Sequence, residues 1–356
     1  MIAVGWYAPL PGAKSGVADY AAVLERELSR RFALRRLAGG DVNVYQLGNN
    51  QLHAGIYAAA LAKPGVVVIH DAVLQHFFLG SLDRATYVEE FVYNYGEWNR
   101  GLAESLWERR AQAGADAEYF RYPMLKRVCE RARVVIVHNP AAAAIVRAHA
   151  PAVEVVEIPH FFEMPAALPP DQEVLTWRES QGVGWGTCLF GVFGFLRESK
   201  RIPSVLRAWA QVPGSALLLQ GEFAPGSAPV KCEGVIRAGY VPEREFWKLA
   251  SAVDVCVNLR WPAAGETSGI AIRLMGLGKP CIVTAGAEVS RFPAGSCFPV
   301  DAGVAEGEML AAAMGWLAES AVRRREMGRV AGEWMRREHS LGRVVEAYAR
   351  VIQSFT

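Results

Sequence analysis

The sequence alternates short apolar runs with longer stretches of helical periodicity, and this alternation restricts the chain to α/β architectures. In the first half, strand-like runs lie at residues 2–7, 42–47, 66–70, 133–138 and 153–158. Uninterrupted apolar runs are typical of strands that are buried on both faces, and helices between such strands join them in parallel. We therefore predict βαβ units here, with a helical and aromatic segment at about 78–130.

A proline-rich break near residues 163–172 separates this series from a second one. Beyond the break, strands are predicted at 189–195, 216–220, 234–239, 253–258 and 281–284, and helices at 202–211, 244–251, 270–277, 307–319 and 321–340. Two successive series of similar length predict two Rossmann-like doubly wound domains that face each other across a cleft. The predicted domains are 1–170 and 171–340, followed by a C-terminal helix at 341–356. Whether that helix packs back toward the N-terminal domain is left open.

The composition is that of a globular protein with ample core, since 52% of the 356 residues are hydrophobic and 21% are charged. A net charge of +2 gives no support for a nucleic-acid-binding face, so no nucleic-acid partner is predicted. The six cysteines form no Cys-x-x-Cys pair, which is typical of reduced core residues in a cytoplasmic protein. No run of about 18 apolar residues is present, so no membrane span is predicted.

The stretch GETSGIAIRLMGLGKP, residues 265–280, places a carboxylate and small residues at the start of an apolar helix. A helix N-terminus offers unpaired N–H groups and the positive end of the helix dipole, and the small Ser268 and Gly269 would let an anion approach. Glu266 would accept hydrogen bonds from sugar hydroxyls. The alternative is a capping carboxylate beside residues that are small for close packing.

The stretch VFGFLRESKRIPSVL, residues 192–206, is predicted to be a strand, a polar loop and a helix. Arg197, Lys200 and Arg201 cluster where the strand ends, and three cations in one loop fit a diphosphate. The alternative is that each is a solvated surface residue.

Two features of the first half lie where strands end. Gly16 follows the first strand in PLPGAKSGVADY, and His70 ends the strand VVVIHD. The alternatives are a plain strand-to-helix turn for Gly16 and a structural role for His70.

Because no His-x-x-x-His or Asp-x-Asp spacing occurs, we expect no metal site. A bound diphosphate would then be neutralised by cationic side chains and a helix dipole.

Five segments in this order resemble the retaining glycosyltransferases of family 4, also called glycosyl transferases group 1, which have the GT-B fold. The segments are PLPGAKSGVADY, VYQLGNN followed by PGVVVIHD, FGFLRESKR, GYVPEREFWKLASAVDVCVNL and GETSGIAIRLMGLGKP. The resemblance implies a hexosyltransferase-like enzyme that moves a sugar, with retention and without metal, from a nucleotide-diphosphate sugar to an acceptor. The acceptor is open between a glycan, a lipid-linked sugar and a small molecule. Residues 1–170 would form the acceptor side and 171–340 the donor domain.

The resemblance also implies roles for individual residues. His70 would touch the transferred sugar, Glu266 its hydroxyls, and Lys200 the diphosphate, and these three are the predicted catalytic residues. The predicted donor-binding residues are Gly16, Arg197, Arg201, Tyr240, Val241, Thr267, Ser268, Gly269 and Ile270. Among them, the backbone at Tyr240 and Val241 would meet the nucleobase.

The sequence departs from the family pattern at two positions. The family's second glutamate, which usually holds the ribose, corresponds to Leu274 when counted from Glu266 and to Arg273 when counted from the Gly-Lys-Pro end. The family's usual arginine, five residues before the lysine, corresponds to Phe195. Arg197, Arg201 or Arg260 would substitute for it, and the nucleotide identity is left open.

These departures keep two other functions open: a non-catalytic nucleotide-sugar-binding protein, and a UDP-sugar epimerase of the same fold. The epimerase would need acid/base carboxylates, for which the sequence offers Glu266, Asp71 and Glu222.

The predicted localisation is cytoplasmic. Weak peripheral contact with the inner membrane face is an open alternative, based on basic residues among aromatic ones at Arg109, Arg110, Arg121, Lys126 and Arg127. A solvated helix face is the competing interpretation. The oligomeric state is open.

Overall fold

The computed structural model describes residues 1–225 and 232–355, and in this part the chain forms twelve strands and fourteen α-helices. The strands are β1 (Ala3–Tyr7), β2 (Ala33–Arg36), β3 (Val42–Leu47), β4 (Val66–Ile69), β5 (Val134–Val137), β6 (Val155–Glu157), β7 (Leu189–Phe193), β8 (Ala216–Gln220), β9 (Val235–Ala238), β10 (Val255–Asn258), β11 (Cys281–Thr284) and β12 (Cys297–Val300). The helices are α1 (Gly16–Leu28), α2 (Ala54–Ala62), α3 (Gln75–Ser81), α4 (Arg84–Tyr95), α5 (Arg100–Glu108), α6 (Lys126–Arg131), α7 (Pro140–His149), α8 (Asp171–Ser180), α9 (Ile202–Trp209), α10 (Glu243–Ala252), α11 (Gly269–Gly276), α12 (Glu306–Ala318), α13 (Ala321–Glu338) and α14 (Leu341–Gln353).

The chain groups into two compact units, each with its own parallel sheet. The first unit comprises Met1–His160, Pro262–Thr267 and Leu341–Thr356, and the second comprises Phe161–Trp261 and Ser268–Ser340. The short segment Pro262–Thr267 therefore belongs to the first unit, although its neighbours in sequence belong to the second. Helix α14 packs on α1 within the first unit, where the hydroxyls of Tyr20 and Tyr348 lie 3.1 Å apart.

The first sheet has the strand order β2-β1-β3-β4-β5-β6, with all strands parallel. Strands β3, β4 and β5 are buried along their whole length because helices cover both faces of the sheet. The edge strand β2 was not predicted, since its sequence ALRR contains two arginines and forms no apolar run.

The second sheet has the order β12-β11-β10-β7-β8-β9, again all parallel. Numbered from β7, this is the Rossmann order, in which the chain reverses direction across the sheet between β7 and β10. The edge strand β12 was not predicted, because Pro299 interrupts its apolar pattern. The predicted α/β class with two Rossmann-like doubly wound parallel sheets is confirmed.

Alternate residues of the second sheet supply two core layers, one on each face. Leu189 and Leu218 pack in the layer that contains Trp247 of α10. Their neighbours Phe190 and Leu217 pack in the opposite layer, against α9 and α12. Helices on both faces thereby hold the strand ends rigidly, and the loops that leave the carboxyl edge start from fixed positions.

A close approach of two glycines ends β7. Gly194 has φ +91 and its N–H donates to the carbonyl of Gln220 at 3.0 Å. Gly221 has φ +131, and a Cβ at Gly221 would lie 1.9 Å from the Gly194 oxygen. The strand predicted to reach residue 195 therefore ends at Phe193, because a left-handed glycine turns the chain into the following loop.

We expect Gly221→Ala to lower the free energy of unfolding by more than about 2 kcal/mol, since the new Cβ meets backbone and the φ is unfavourable for alanine. Gly214→Ala is the matched control, because Gly214 has φ +73 but open space around its Cβ position. It should cost only about 1 kcal/mol. Urea unfolding followed by circular dichroism measures both, and equal costs would contradict the close approach.

Candidate functional site

The N-terminus of α11 lies at the carboxyl edge of the second sheet, directly after β10. Ser268 is the N-cap, and its Oγ accepts a hydrogen bond from the Ala271 N–H at 3.2 Å. The same hydroxyl donates to Oδ1 of the buried Asn258 at 3.1 Å, so the last residue of β10 fixes the cap. Because the first turn of a helix directs its N–H groups outward, the amides of Gly269 and Ile270 form an anion-ready terminus.

Lys200 lies in the loop that leaves β7, at the end of a 3₁₀ turn at Glu198–Lys200. The residue is 4% exposed. A Cβ placed on Gly194 would lie 3.8 Å from Lys200 Nζ and 3.5 Å from Ile270 Cγ1. The ammonium and the first turn of α11 are therefore neighbours of the same glycine, and the structure brings together Lys200, Ser268, Gly269 and Ile270 at the switch point between β7 and β10.

The three cations predicted in this loop have different surroundings in the structure. Arg197 is exposed. The Arg201 guanidinium instead donates to Glu306, the first residue of α12, with Nε 3.0 Å from Oε1 and 3.1 Å from Oε2, and Nη2 2.9 Å from Oε1. Glu306 is only 3% exposed. Sequence reasoning missed this residue because it lies in no motif and about a hundred residues away from its partner.

Arg260, considered as a substitute for the family's arginine, does lie at the α11 terminus. Its Nη2 donates to Ser268 Oγ at 3.2 Å, and its backbone N–H donates to Thr284 Oγ1 at 2.9 Å. Phe195 is half exposed in the β7 loop. The second unit thus has two cationic side chains beside the helix terminus, one from each of the loops that flank the switch point.

Tyr240 and Val241 lie in the loop after β9, at the same edge of the sheet. Tyr240 is exposed, whereas Val241 packs partly against the core. The preceding Gly239 oxygen accepts a hydrogen bond from Gln220 Nε2 at 3.1 Å, which joins this loop to the end of β8. The loop therefore holds an exposed aromatic ring at a fixed strand end.

The two residues in place of the family's second glutamate have different surroundings. Leu274 is fully buried in the core. Arg273 donates from Nη2 to Glu243 Oε1 at 2.8 Å, and its guanidinium carbon lies 4.3 Å from the ring centroid of Phe246 and 4.5 Å from that of Trp247. Arg273 is therefore held against α10 by an ion pair and by cation–π contacts.

Glu266 lies in the segment that belongs to the first unit and is 8% exposed. Its Oε2 accepts from the Ala264 N–H at 2.6 Å. Asn139 holds both sides of this residue, because its Nδ2 donates to Gly265 O and to Thr267 Oγ1, each at 2.9 Å. Glu266 and Thr267 thus occupy a fixed loop, and the first unit provides the support.

Asn139, which supports the loop of Glu266, was not identified from the sequence. Its side chain also caps α7, since Oδ1 accepts from the Ala142 N–H at 2.9 Å. An asparagine before a proline is a recognisable signal for a helix start. The signal predicts the cap, but it says nothing about the second contact, which joins residues 126 and 128 positions apart.

His70 lies in a cluster of aromatic and imidazole rings in the first unit. The Tyr20 ring centroid lies 4.9, 5.1 and 4.8 Å from those of His70, His138 and His160 respectively. His70 Nε2 lies 2.7 Å from Gln46 Oε1, and His138 Nδ1 lies 2.8 Å from Ile158 O, so each imidazole nitrogen donates. Burial holds the pKa of His70 well below its usual range and lowers the pKa of His138 to about 4. Both rings are neutral at neutral pH.

Gly16, the remaining predicted residue, begins α1 after the first strand. A Cβ at this position would meet no atom within 4 Å, so the backbone at the start of α1 is open rather than packed. Packing within the protein therefore does not require a glycine at position 16.

The basic residues considered for membrane contact are in part paired. Arg109 donates to Glu118 at 2.9 Å, Arg127 donates to Glu90 at 2.6 Å, and Arg110 lies over the Trp107 ring. In residues 1–225 and 232–355, no helix has the length and apolar character needed to cross a membrane. The same residues contain no group of three or more His, Cys, Asp or Glu side chains that could hold a metal ion.

No protein-family model matches the sequence, and no curated protein matches it significantly. Solved structures match it over nearly the whole chain. The sucrose-phosphate synthase of Thermosynechococcus elongatus is similar with a TM-score of 0.71 at 14% identity, covering 99% of both chains. HepE of Anabaena, in complex with UDP and glucose, has a TM-score of 0.68 at 14% identity and covers 99% of this chain and 100% of its own. WaaG, a glycosyltransferase involved in lipopolysaccharide biosynthesis, has a TM-score of 0.62 at 14% identity, covering 98% and 99%.

These similarities show the fold of the chain. Its neighbours are GT-B glycosyltransferases, and the match extends over both units rather than over one Rossmann-like half. The chain therefore has the GT-B fold.

The buried histidines make the stability of the protein depend on pH. Burial lowers the pKa of His53 and of His138 to about 4, whereas an unfolded histidine titrates near about 6.5. Between these values the unfolded state binds more protons, so the stability is full above about pH 6.5 and falls as the pH decreases toward about 4. Each histidine contributes roughly 1 kcal/mol per pH unit in this window.

We expect His138→Gln, which keeps a donor for Ile158, to reduce this pH dependence. Urea unfolding of wild type and variant at several pH values between about 4.5 and 7.5 measures it. The difference between the two free energies should change with pH in that window; a constant difference would show that His138 does not titrate as its burial implies.

Proposed function

We propose that the chain is a retaining glycosyltransferase of family 4 type, which transfers a hexose from a nucleotide-diphosphate sugar to an acceptor hydroxyl without a metal ion. The observation that carries this proposal is the anion-ready terminus of α11 beside the buried Lys200, at the switch point of a Rossmann-ordered sheet. In open α/β sheets, ligands bind at this point.

The structural neighbours support a nucleotide-sugar donor. HepE of Anabaena was solved with UDP-glucose and with UDP, and both structures match at least 99% of this chain with TM-scores of 0.68 and 0.63. A nucleoside diphosphate requires positive potential for its phosphates and a surface for its base. The second unit provides the first with Lys200, Arg260 and α11, and Tyr240 offers the second.

The proposed chemistry follows from charge. As the bond between the anomeric carbon and the phosphate oxygen breaks, negative charge builds on the diphosphate, and Lys200 with the α11 amides would stabilise it. The acceptor oxygen forms the new bond on the same face of the sugar, and its proton passes to the leaving phosphate, as the resemblance implies. No protein nucleophile is required, because the acceptor oxygen forms the new bond directly. No metal is required, because cations and the helix dipole balance the charge.

The first unit would contribute hydrogen bonds to the transferred sugar in this reaction. Glu266 is held in a fixed loop by Asn139 and is suited to accept hydrogen bonds from the transferred sugar's hydroxyls. His70, kept neutral by burial, would contact the same sugar without adding a charge that opposes the oxocarbenium-like state. The acceptor, the cytoplasmic localisation and peripheral membrane contact stay predictions of the sequence.

A non-catalytic nucleotide-sugar-binding protein is the second candidate. The observation that favours it is the ion pair of Arg273 with Glu243, together with the burial of Leu274, since no carboxylate occupies either position of the family's second glutamate. Binding without turnover would distinguish this candidate from the enzyme.

We expect a nucleoside diphosphate to raise the melting temperature, since a ligand of the native state stabilises it by about 2.7 kcal/mol at a hundredfold excess over its Kd. UDP, GDP and dTDP, with the corresponding sugars, would be compared by thermal shift. Each donor that binds would then be incubated with the protein and tested for hydrolysis. Binding with no turnover for any donor would favour the second candidate, and no binding at all would contradict both.

We expect Lys200→Ala and Glu266→Ala each to lower kcat/KM for donor hydrolysis by about 100-fold or more, as loss of a group that stabilises transition-state charge or orients the sugar does in other enzymes. Lys248→Ala is the matched control, because Lys248 pairs with Glu245 at 2.7 Å on α10. It should keep wild-type activity. Wild-type rates for both folded variants would contradict the assigned roles.

A further inference from the structure

We propose that Glu306 is a positioning residue for the diphosphate site and that it acts through Arg201. The carboxylate fixes Arg201 in a left-handed conformation, and that conformation places Lys200 beside the α11 terminus. This inference rests on the proposed function, because that function assigns Lys200 to the diphosphate. It assigns Arg201 to the loop instead of to the donor.

The first observation is the backbone of Arg201. Its φ is +57 and its ψ is +34, a left-handed conformation that residues other than glycine rarely adopt. Such a conformation persists only where the surroundings determine it, and it is often found at functional sites. Leu37 and Met124, both in the first unit, are the other non-glycine residues with positive φ in the described parts of the chain.

The second observation is where this conformation occurs. The Arg201 N–H closes the 3₁₀ turn by donating to Glu198 O at 2.9 Å, and the Arg201 carbonyl accepts from the Val205 N–H at 3.0 Å, in the first turn of α9. Arg201 is therefore the single residue at which the chain changes from the turn that holds Lys200 into the helix. Its dihedral angles set the direction in which Lys200 points.

The third observation is the anchor. Glu306 is 3% exposed and accepts three hydrogen bonds from the Arg201 guanidinium. A two-point pair of this kind fixes the orientation of the arginine as well as its distance. Glu306 also begins α12, where the helix dipole favours a carboxylate, and α12 packs against α9. The anchor is thus part of the rigid core layer of the second unit.

The consequence concerns Lys200. Without the Glu306 carboxylate, the ion pair that holds the Arg201 side chain is lost. The Arg201 backbone then relaxes toward the right-handed region that arginine prefers. The adjacent Lys200 then no longer directs Nζ toward Gly194 and Ile270, and the diphosphate loses its nearest cation.

An experiment with a glycine substitution separates this role from direct binding by Arg201. Glycine adopts the left-handed conformation without a supporting side chain. We would measure the Kd of UDP, GDP and dTDP by calorimetry for wild type, Glu306→Gln, and the double variant Glu306→Gln with Arg201→Gly. Glu308→Gln is the matched control, since Glu308 lies exposed two residues further along α12.

We expect Glu306→Gln to weaken binding of the nucleotide that wild type binds best by about tenfold or more, equivalent to at least about 1.4 kcal/mol. The double variant should recover to within about threefold of wild type, and Glu308→Gln should be unchanged. Recovery would show that the conformation, and not the guanidinium, is what binding requires. A double variant weaker than Glu306→Gln alone would show that Arg201 contacts the nucleotide directly, and would overturn the inference.

A double-mutant cycle with Lys200→Ala keeps the inference falsifiable even if Glu306→Gln only loosens the fold. If Glu306 acts through Lys200, adding Glu306→Gln to Lys200→Ala should weaken binding by less than about twofold, whereas independent effects would multiply. A wild type that binds none of the three nucleotides would overturn the proposed function and this inference with it. Binding by wild type with Glu306→Gln unchanged would overturn this inference alone.

Discussion

The candidate donor site depends on the reversal of strand order between β7 and β10. Neighbouring strands elsewhere in the sheet send their connections to the same side, but these two send theirs apart, so their loops diverge and leave an open crevice at the carboxyl edge. The loop after β7 carries Lys200, and the loop after β10 carries Arg260 and Ser268. Two helices, α9 and α11, start from these loops. The cations and the helix terminus converge because of the sheet topology.

The groups proposed to bind phosphate and those proposed to contact the sugar differ in charge. In the second unit, a buried lysine and a helix terminus create positive potential, and a buried carboxylate at Glu306 offsets only the neighbouring arginine. In the first unit, burial depresses the pKa of His70 and His138, so the ring cluster around Tyr20 contributes hydrogen bonds without charge. Positive potential suits phosphates, and neutral imidazoles together with the carboxylate of Glu266 suit sugar hydroxyls, which agrees with the division of roles in the proposed reaction.

The sequence predicted the parts of the fold that are buried and periodic. The strands of both sheet centres and helices such as α11, predicted at 270–277 and observed at Gly269–Gly276, were found from apolar patterns alone. Edge strands β2 and β12 were missed, since they are short, half exposed and interrupted by arginine or proline. Helix α2 was missed because it is apolar all round and lacks the period of a surface helix.

The candidate site was predictable where chemistry is local in sequence and not where it is long-range. The α11 terminus and Lys200 could be named because each lies next to the strand that positions it. The partners of Arg201 and of residues 265–267 could not, since Glu306 and Asn139 contact them only in the folded chain. A cluster of three basic residues in the sequence does not show which of them pairs with a carboxylate from a distant part of the chain.

The departure at residues 273 and 274 shows what a count along the sequence leaves out. Arg273 lies three residues after Ile270 and Leu274 four residues after it, so the helical spacing alone does not separate the two positions. Their surroundings do, because Leu274 is fully buried, whereas the Arg273 guanidinium lies against Phe246 and Trp247 of α10. Of the two positions, only Arg273 therefore presents a polar group outside the core. A carboxylate is nevertheless present near this position. Glu243 of α10 pairs with Arg273, and the Glu243 side chain is 75% exposed. The carboxylate of Glu243 comes from α10 and is paired with Arg273. The ion pair is neutral overall, whereas a lone glutamate at position 273 would be negative.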